Sequence, residues 1–298
     1  MQVSRRQVLS VAGAAVVAGG CLETTPERAI ESDELLTMAH RGSMYLWPEN
    51  TLFAIENAIE TGADIVEIDL DVAADGTIVI FHDETVDRTT DGEGSVAEKS
   101  VSELKSLDAG YNFPPEKEAS YAETDISHDQ TPPDISHPYR GEGIEIPTLV
   151  EVFEAVPSEY PLLLDVKRNR PSPERIAELV VEYDRVETTL VGAFETAFLE
   201  RMRQAMDELD TGLGAAEVRQ FLATTRRDES RYESPGEFFF APHRTVRASF
   251  VDRAHRNGMN VFPWTVNAPA EMTRLIDANV DGILTDDHLL LAEIADER

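Results

Sequence analysis

The chain has little cysteine, little lysine and a large excess of acidic residues. It contains one cysteine among 298 residues, so no intrachain disulfide can form. Lysine accounts for four of the 26 basic residues, against 57 acidic residues, and the formal net charge is −31. A field of this sign repels nucleic acid and anionic membrane surfaces, so we expect no nucleic-acid partner. Such a composition fits both a protein that works at high salt and an ordinary acidic surface.

The N-terminal apolar segment is too short to span a bilayer. It runs from Val8 to Val17, whereas a membrane-spanning helix needs roughly 20 residues. Arg5 and Arg6 precede it, a pattern typical of twin-arginine export signals. The segment is followed by Ala-Gly-Gly-Cys ending at Cys21, which resembles the lipobox of exported lipoproteins.

These features predict the domain organisation and the cellular location of the protein. We expect a twin-arginine lipoprotein signal over residues 1–21, an acidic tether over residues 22–34 and one folded domain over residues 35–298. The mature protein would be exported and attached by a lipid on Cys21 to the outer face of the cell membrane. An uncleaved membrane anchor is the alternative interpretation of the same segment.

Beyond residue 35, short apolar runs alternate with amphipathic helical patterns. This alternation indicates an α/β fold with a parallel sheet, and so many units close most naturally into a (β/α)8 barrel of the TIM type. The strand candidates are Leu36–Ala39, Ile65–Asp71, Thr77–His82, Pro161–Lys167, Thr189–Ala193, Gly212–Ala215, Phe238–Ala241, Asn260–Val266 and Gly282–Thr285. These are nine for a barrel of eight, and the sequence does not say which one lies outside it.

The segment between Asp69 and His82 is too short to hold a crossover helix. We expect a turn at Asp75-Gly76, with Val72–Ala74 descending and Thr77–Phe81 climbing back. In this arrangement Asp69 and His82 end at the same rim of the barrel.

A long segment without periodicity follows the third strand candidate. Residues 110–143 contain five prolines, and structureless loops of this length are usually functional or mobile. We interpret the segment as a lid or substrate-selecting insert over the catalytic face; an acidic decoration is the alternative.

Acidic and histidine side chains gather at the ends of the strand candidates. Glu67 and Asp69 are two positions apart on one strand, so their side chains point to the same face. Two buried carboxylates are costly unless they are paired or bind a metal, and hard cations prefer oxygen ligands. His40 and His82 each end a strand, and histidine can act as a general acid or base near neutrality.

The same residues belong to a series of short motifs, in this order along the chain: His40-Arg41-Gly42, Pro48-Glu49-Asn50-Thr51, Glu67-Ile68-Asp69, His82-Asp83, Asp165-Val166-Lys167, Trp264-Thr265-Val266-Asn267 and Asp281-Gly282-Ile283-Leu284-Thr285-Asp286. Both the motifs and their order resemble those of the glycerophosphodiester phosphodiesterase family. One departure is Asp165, because the family usually has glutamate before x-Lys. Asp165 is one methylene shorter, so we expect the metal to lie closer to that strand or a water to intervene.

The resemblance implies an enzyme that cleaves glycerophosphodiesters to glycerol 3-phosphate and an alcohol with one divalent cation, Mg²⁺ or Ca²⁺. It implies that Glu67, Asp69 and Asp165 hold the cation. It also implies that His40 and His82 act as acid and base, without saying which does which. The last motif, Asp281 to Asp286, is expected to have a structural role in closing the barrel.

Further residues are candidates for substrate binding. Arg41 can donate two hydrogen bonds to a phosphate, although an ion pair with Glu49 is equally compatible. Lys167 needs an anionic partner, either phosphate or the metal carboxylates. Trp264 and Phe194 end strands, where they either form a wall for the substrate or pack in the core.

Asn50 or Thr51 is the expected N-cap of the first helix. Two alternatives to the predicted function stay open. The first is a phospholipase on the same scaffold that acts on intact lipids. The second is an exported lipoprotein that binds glycerophosphodiesters without cleaving them.

Overall fold

The structure, a computed structural model, describes residues 34–113, 137–168, 171–224 and 232–298. The predicted signal, the predicted tether up to residue 33 and the middle of the predicted insert, residues 114–136, lie outside the described residues. Within the described ranges, every helix is too short or too polar to cross a membrane.

The strands and helices alternate along the chain. The strands are β1 (Leu36–Ala39), β2 (Ile65–Val72), β3 (Ile78–Ile80), β4 (Leu162–Val166), β5 (Thr189–Ala193), β6 (Asp210–Thr211), β7 (Phe238–Pro242), β8 (Asn260–Trp264) and β9 (Gly282–Thr285). The helices are α1 (Leu52–Glu60), α2 (Val101–Lys105), α3 (Leu149–Ala155), α4 (Pro173–Glu182), α5 (Thr196–Ala205), α6 (Ala215–Ala223), α7 (Ala248–His255), α8 (Pro269–Asp277) and α9 (His288–Asp296).

All described strands except β3 form a curled parallel arrangement. Hydrogen-bonded neighbours follow the order β6, β5, β4, β2, β1 and β9, and β7 pairs with β8. The two sheets meet at both edges. Gly212, after β6, forms a parallel bridge with Phe238, and Asp281 N donates to Val261 O at 3.3 Å. This is the predicted barrel.

Strand β3 is the candidate that lies outside the barrel. It pairs antiparallel with β2, so that Leu70 is opposite Ile80 and Val72 is opposite Ile78. The expected hairpin is therefore present, but its two arms run differently from the prediction. Val72 was predicted to belong to the descending arm. It is instead the last residue of β2, because the ladder with β3 extends to the pair of Val72 and Ile78.

The return arm of the hairpin brings His82 to the rim. Ala73 N donates to Thr77 O at 2.9 Å and closes the turn. At the other end of the arm, Phe81 N donates to Asp69 O, also at 2.9 Å. His82 thus lies level with the end of the barrel, as predicted, although β3 is not one of the parallel strands.

Strand β6 begins and ends earlier than predicted. It consists of Asp210 and Thr211, whereas the sequence suggested residues 212–215. Gly214 is instead the N-cap of α6, and its N–H donates to Glu217 Oε2 at 2.9 Å. A helix start so close to the strand leaves no room for the longer strand.

Side chains alternate along each strand between the barrel interior and the surrounding helices. The interior is packed by one cluster of apolar residues: Leu36, Met38, Ile65, Leu163, Leu190, Phe238, Phe262 and Leu284. Two positions further along the same strands, the sequence places His40, Glu67, Asp165, Phe240, Trp264 and Asp286. The period of two therefore carries these residues to the C-terminal rim, where barrels of this type bind their substrates.

Candidate active site

Three carboxylates from two adjacent strands converge at the C-terminal rim. Glu67 and Asp69 belong to β2 and Asp165 to β4, and Asp69 is paired in register with Asp165. One oxygen from each residue lies within 4.8 Å of the others. Glu67 and Asp69 are completely buried, and Asp165 is 8% exposed. The structure therefore brings the three predicted metal ligands together.

Glu67 has one oxygen to which no described residue donates a hydrogen bond. Its Oε2 accepts from Arg41 N at 2.8 Å, whereas its Oε1 is buried without a hydrogen-bond partner in the described part of the chain. Burial, together with the negative charge of Asp69, raises the pKa of Glu67 well above its ordinary value. A divalent cation would satisfy Oε1 and favour the ionised carboxylate, so this set of donors fits a hard metal ion.

Lys167 places its ammonium against two of these carboxylates. Its Nζ is 2.5 Å from Asp165 Oδ2 and 3.1 Å from Asp69 Oδ1. Burial opposes the charge of Lys167, but attraction to Asp69 and Asp165 outweighs burial and raises its pKa. Burial likewise opposes ionisation of Asp69, but Arg41 and Lys167 outweigh it and lower the pKa of Asp69. Asp69 is therefore ionised and Lys167 protonated at neutral pH.

The chain leaves β1 through a strained turn. Arg41, Gly42 and Ser43 have φ angles of 53°, 78° and 68°. Gly42 is needed because a Cβ at this position would lie 2.8 Å from the Cβ of Ala54 in α1. Arg41 and Ser43 hold left-handed conformations that cost about 1–3 kcal/mol each and that occur mainly where the surrounding structure enforces them.

Asp286 fixes the ring of His40. Nδ1 of His40 is 2.5 Å from Asp286 Oδ1, and its Nε2 is 4.0 Å from Glu67 Oε2. Asn267 holds Asp286 in turn, because its Nδ2 donates to Asp286 Oδ2 at 2.6 Å and its Oδ1 accepts from Asp286 N at 3.0 Å. The barrel closes beside this motif as expected, because β1 pairs with β9. Asp286 also orients a predicted catalytic histidine.

His82 is held through both its ring and its backbone. Nδ1 is 2.6 Å from Asp83 Oδ1, and Arg88 Nε donates to the other oxygen of Asp83. Burial opposes ionisation of Asp83, but hydrogen bonds from His82 and Arg88 lower its pKa to about 2. Arg168 Nη2 donates to the carbonyl of His82 at 2.7 Å.

Glu49 joins the two histidine-bearing segments through a pair of arginines. Its Oε1 accepts from Arg41 Nη1 at 2.8 Å and from Arg88 Nη2 at 2.7 Å, and its Oε2 accepts from Arg88 Nη1 at 2.7 Å. Burial opposes ionisation of Glu49, but Arg41 and Arg88 hold its pKa well below the ordinary value. The ion pair expected as one possibility for Arg41 is thus present. The same guanidinium also faces the carboxylate cluster, with Nε 3.1 Å from Asp69 Oδ2.

Asn50 is a site residue that the sequence did not identify. Its Nδ2 donates to Asp69 Oδ2 at 2.8 Å, and its Oδ1 accepts from Asp69 N at 3.0 Å. Thr51 is the N-cap of α1, with Oγ1 accepting from Ala54 N at 3.1 Å. In the Pro-Glu-Asn-Thr motif, Glu49 therefore binds the arginines, Asn50 binds Asp69 and Thr51 caps α1. The sequence had suggested only the cap for Asn50 or Thr51.

Aromatic side chains follow β5 at Phe194, lie within β7 at Phe240 and end β8 at Trp264. Trp264 is 38% exposed and packs against Phe240, with ring centroids 6.1 Å apart. Phe194 is 77% exposed, so the alternative of core packing is wrong for this residue. Both predicted aromatic side chains are therefore exposed.

A sequence model described as the glycerophosphoryl diester phosphodiesterase family matches residues 40–290. The chain belongs to this family. The match begins at His40 and runs beyond Asp286, so it covers every residue of the site described above. It confirms the predicted family and, with it, the predicted class of enzyme, a phosphoric diester hydrolase.

Individual members of the family are similar over most of the chain. A glycerophosphodiester phosphodiesterase of Caldanaerobacter subterraneus subsp. tengcongensis is 33% identical over 261 residues, which are 85% of this chain and 94% of the relative. A glycerophosphodiester phosphodiesterase of Bacillus subtilis is 26% identical over 265 residues, with 86% of this chain and 85% of the relative covered.

Solved structures agree on the fold. A glycerophosphodiester phosphodiesterase from Agrobacterium tumefaciens superposes with a TM-score of 0.66 at 22% identity, covering 87% of this chain and 99% of the other. An Oleispira antarctica phosphodiesterase in complex with the product sn-glycerol-3-phosphate gives a TM-score of 0.66 at 24% identity. The match covers 90% of this chain and 99% of the other. At these identities the likeness establishes the barrel.

Proposed function

We propose that the protein hydrolyses glycerophosphodiesters to glycerol 3-phosphate and an alcohol, with one divalent cation, Mg²⁺ or Ca²⁺, held by Glu67, Asp69 and Asp165. One observation carries the proposal: three clustered carboxylates and two carboxylate-oriented histidines meet at one rim of the barrel. The names of the relatives and the glycerol phosphate in the Oleispira complex support the same substrate class here.

The chain's own residues prepare the carboxylates for this task. When bound, the cation supplies positive charge that neutralises phosphoryl oxygens and polarises a hydroxyl. The side chain of Asn50 donates to Asp69 Oδ2 and accepts from the backbone N–H of Asp69, and Arg41 N donates to Glu67 Oε2. Oε1 of Glu67 then remains without a hydrogen-bond partner among the described residues, and Asp165 offers one oxygen to the same cluster.

His40 and His82 divide the proton transfers. Each has its Nδ1 against an aspartate, so each presents Nε2 as the working nitrogen. One removes a proton from the attacking water, whose oxygen joins the phosphorus, and the other protonates the oxygen of the departing alcohol. The bond from phosphorus to that alcohol breaks as the bond to the attacking oxygen forms.

Two cations of the chain offset the negative charge of the phosphate. We assign phosphate binding to Arg41 and Lys167, which lie beside the carboxylate cluster. Nε of Arg41 is 3.1 Å from Asp69 Oδ2, and Nζ of Lys167 is 2.5 Å from Asp165 Oδ2. A net charge of −31 would otherwise repel an anionic substrate. Trp264 and Phe194 then offer apolar faces to the glycerol or to the alcohol.

The sequence also supports a location for this reaction. Arg5 and Arg6 before the apolar segment favour twin-arginine export, and the Ala-Gly-Gly-Cys ending favours a lipid anchor at Cys21 on the outer face of the cell membrane.

The reaction is tested with purified protein, glycerophosphocholine and a divalent cation. We expect choline and glycerol 3-phosphate as products, and much slower cleavage of phosphatidylcholine in micelles. Faster cleavage of the intact lipid would instead identify a phospholipase. Tight binding without product over hours would identify a binding protein.

The histidines are tested in the same assay. We expect His40→Ala and His82→Ala each to lower kcat about 100- to 10,000-fold, the usual range for a general acid or base. His255→Ala is a matched control, because His255 is also paired with an aspartate and, like His82, has a side chain 31% exposed. It lies at the end of α7, outside the site, and its loss should leave kcat unchanged.

A further inference from the structure

The segment after β9 contacts the strained turn at both ends. At the first end, Asp286 holds the ring of His40. At the other end, Ser43 Oγ is 2.6 Å from Nδ1 of His288. His288 is the first residue of α9 and is completely buried. A second helix is attached to the same ring, because its Nε2 is 3.0 Å from Oγ1 of Thr61, the C-cap of α1.

The hydrogen bonds of Thr61 define the direction of the hydrogen bonds to His288. Thr61 Oγ1 donates to Asn57 O at 2.6 Å, so it accepts from Nε2–H of His288. Nδ1 then carries a lone pair and accepts from the hydroxyl of Ser43. The ring of His288 therefore links the turn after β1 to the end of α1, and Trp47 packs beside it with ring centroids 6.0 Å apart.

We propose that His288 is a positioning residue for the hydrolysis, acting through Ser43 on the turn that carries His40 and Arg41. The inference rests on the proposed function, because those two residues have their roles there. Ser43 N donates to His40 O at 2.8 Å, so a shift of Ser43 is passed to His40. Arg41 lies between them in a left-handed conformation, which persists because both ends of the turn are tied.

Two substitutions separate the two bonds of His288. The oxygen of an asparagine side chain lies near the position of Nδ1 of histidine, and the amide of glutamine reaches the position of Nε2. His288→Asn thus keeps an acceptor for Ser43 and loses the contact with Thr61. His288→Gln keeps the contact with Thr61 and leaves the hydroxyl of Ser43 without its acceptor.

We expect the variants to differ in catalysis and to resemble each other in stability. His288→Gln should lower kcat by about 10-fold or more, as loss of residues that orient a catalytic group commonly does. KM should change less than kcat, because Ser43 N contacts His40, which acts in the transition state, whereas Arg41 on the same turn also binds the phosphate of the bound substrate. His288→Asn should keep kcat close to the wild type, although both variants melt at lower temperature.

Further variants separate positioning from loss of stability. Ser43→Ala should lower kcat as His288→Gln does, and combining the two changes should lower it no further. Thr211→Val is the matched control: it removes a buried hydroxyl that accepts from Arg203 Nε at 2.8 Å on β6, and it should lower the melting temperature without changing kcat. Equal losses of kcat in His288→Asn and His288→Gln, or no loss in either, would overturn the proposal.

A readout other than activity distinguishes this inference from the proposed function. In nitrogen-15 NMR spectra of the metal-loaded protein, the ring resonances of His40 should move in His288→Gln and stay in place in His288→Asn. If the wild type does not cleave glycerophosphocholine while these shifts are seen, the positioning claim holds and the proposed function fails. Unmoved His40 resonances in His288→Gln contradict the positioning claim whatever the activity.

Discussion

His40 and Asp286 are 246 residues apart in the sequence, and the atoms that join them are 2.5 Å apart. The contact exists because β1 and β9, the first and last strands described, pair with each other and place Ala39 beside Thr285. The orientation of a proposed catalytic histidine therefore depends on closure of the barrel.

Replacing Asp286 by asparagine should lower kcat about 10- to 100-fold, because a neutral amide holds and polarises the imidazole of His40 less well than a carboxylate. Steady-state kinetics on glycerophosphocholine measure the effect. Asp281→Asn is the control, since Asp281 precedes β9 and contacts His255 rather than His40. An unchanged kcat in Asp286→Asn would show that this contact has no catalytic weight.

Asp165 provides the sharpest test of the metal ligands. Asp165→Glu restores the residue usual in the family and should keep activity within about tenfold, or roughly 1.4 kcal/mol of transition-state energy. Asp165→Asn should lose far more, because it removes an anionic ligand and one partner of Lys167. Titration calorimetry with Mg²⁺ or Ca²⁺ should show weaker binding in Asp165→Asn. Equal affinity in that variant and the wild type would exclude Asp165 from the metal site.

Glu49→Gln should change both the size and the pH dependence of stability. Burial opposes ionisation of Glu49, but Arg41 and Arg88 hold its pKa well below the ordinary 4.5. The carboxylate therefore stabilises the fold above the unfolded pKa, and this contribution is lost as the pH falls towards the folded pKa. Near neutral pH we expect a loss of about 3–5 kcal/mol, because two arginines lose their buried partner.

Urea unfolding at a series of pH values measures this effect. The difference between wild type and Glu49→Gln should shrink as the pH falls below 4.5, the ordinary glutamate value. Glu178→Gln is the control, because Glu178 pairs with Arg175 on an exposed helix face and should matter little. A difference that stays constant with pH would mean that ionisation of Glu49 does not stabilise the fold.

Export and anchoring are tested in cells. Replacing Arg5 and Arg6 by lysine should keep the precursor inside the cell, because the twin-arginine signal is lost. Cys21→Ala should release the exported protein from the membrane into the medium, which fractionation and immunoblotting detect. Retention of the Cys21→Ala protein in the membrane fraction would favour an uncleaved anchor.

Much of the fold follows from the period of two along the strands. In each such pair, the first residue packs the interior and the second reaches the rim, as in Met38 and His40 or Ile65 and Glu67. This pattern is visible in the sequence. Which strand candidate lies outside the barrel was not visible. That depends on the ladder between Leu70 and Ile80, which pairs β3 with β2 instead of a new barrel neighbour.

The orienting residues of the site were harder to predict than its ligands. Glu67 and Asp69 are recognisable because carboxylates in an apolar strand need a reason to be there. From the sequence, Asn50 was a candidate helix cap and Asp286 a residue that closes the barrel, and only the fold brings them to Asp69 and His40. His288 had no sequence signal, since its partner Ser43 is 245 residues away.

The central claim is that Glu67, Asp69 and Asp165 hold a divalent cation needed for hydrolysis. The most direct measurement is the rate of choline release from glycerophosphocholine before chelation, after chelation and dialysis, and after addition of Mg²⁺ or Ca²⁺. The account predicts that activity disappears with the chelator and returns with one of these ions. Hydrolysis that continues undiminished in the metal-free protein would contradict it.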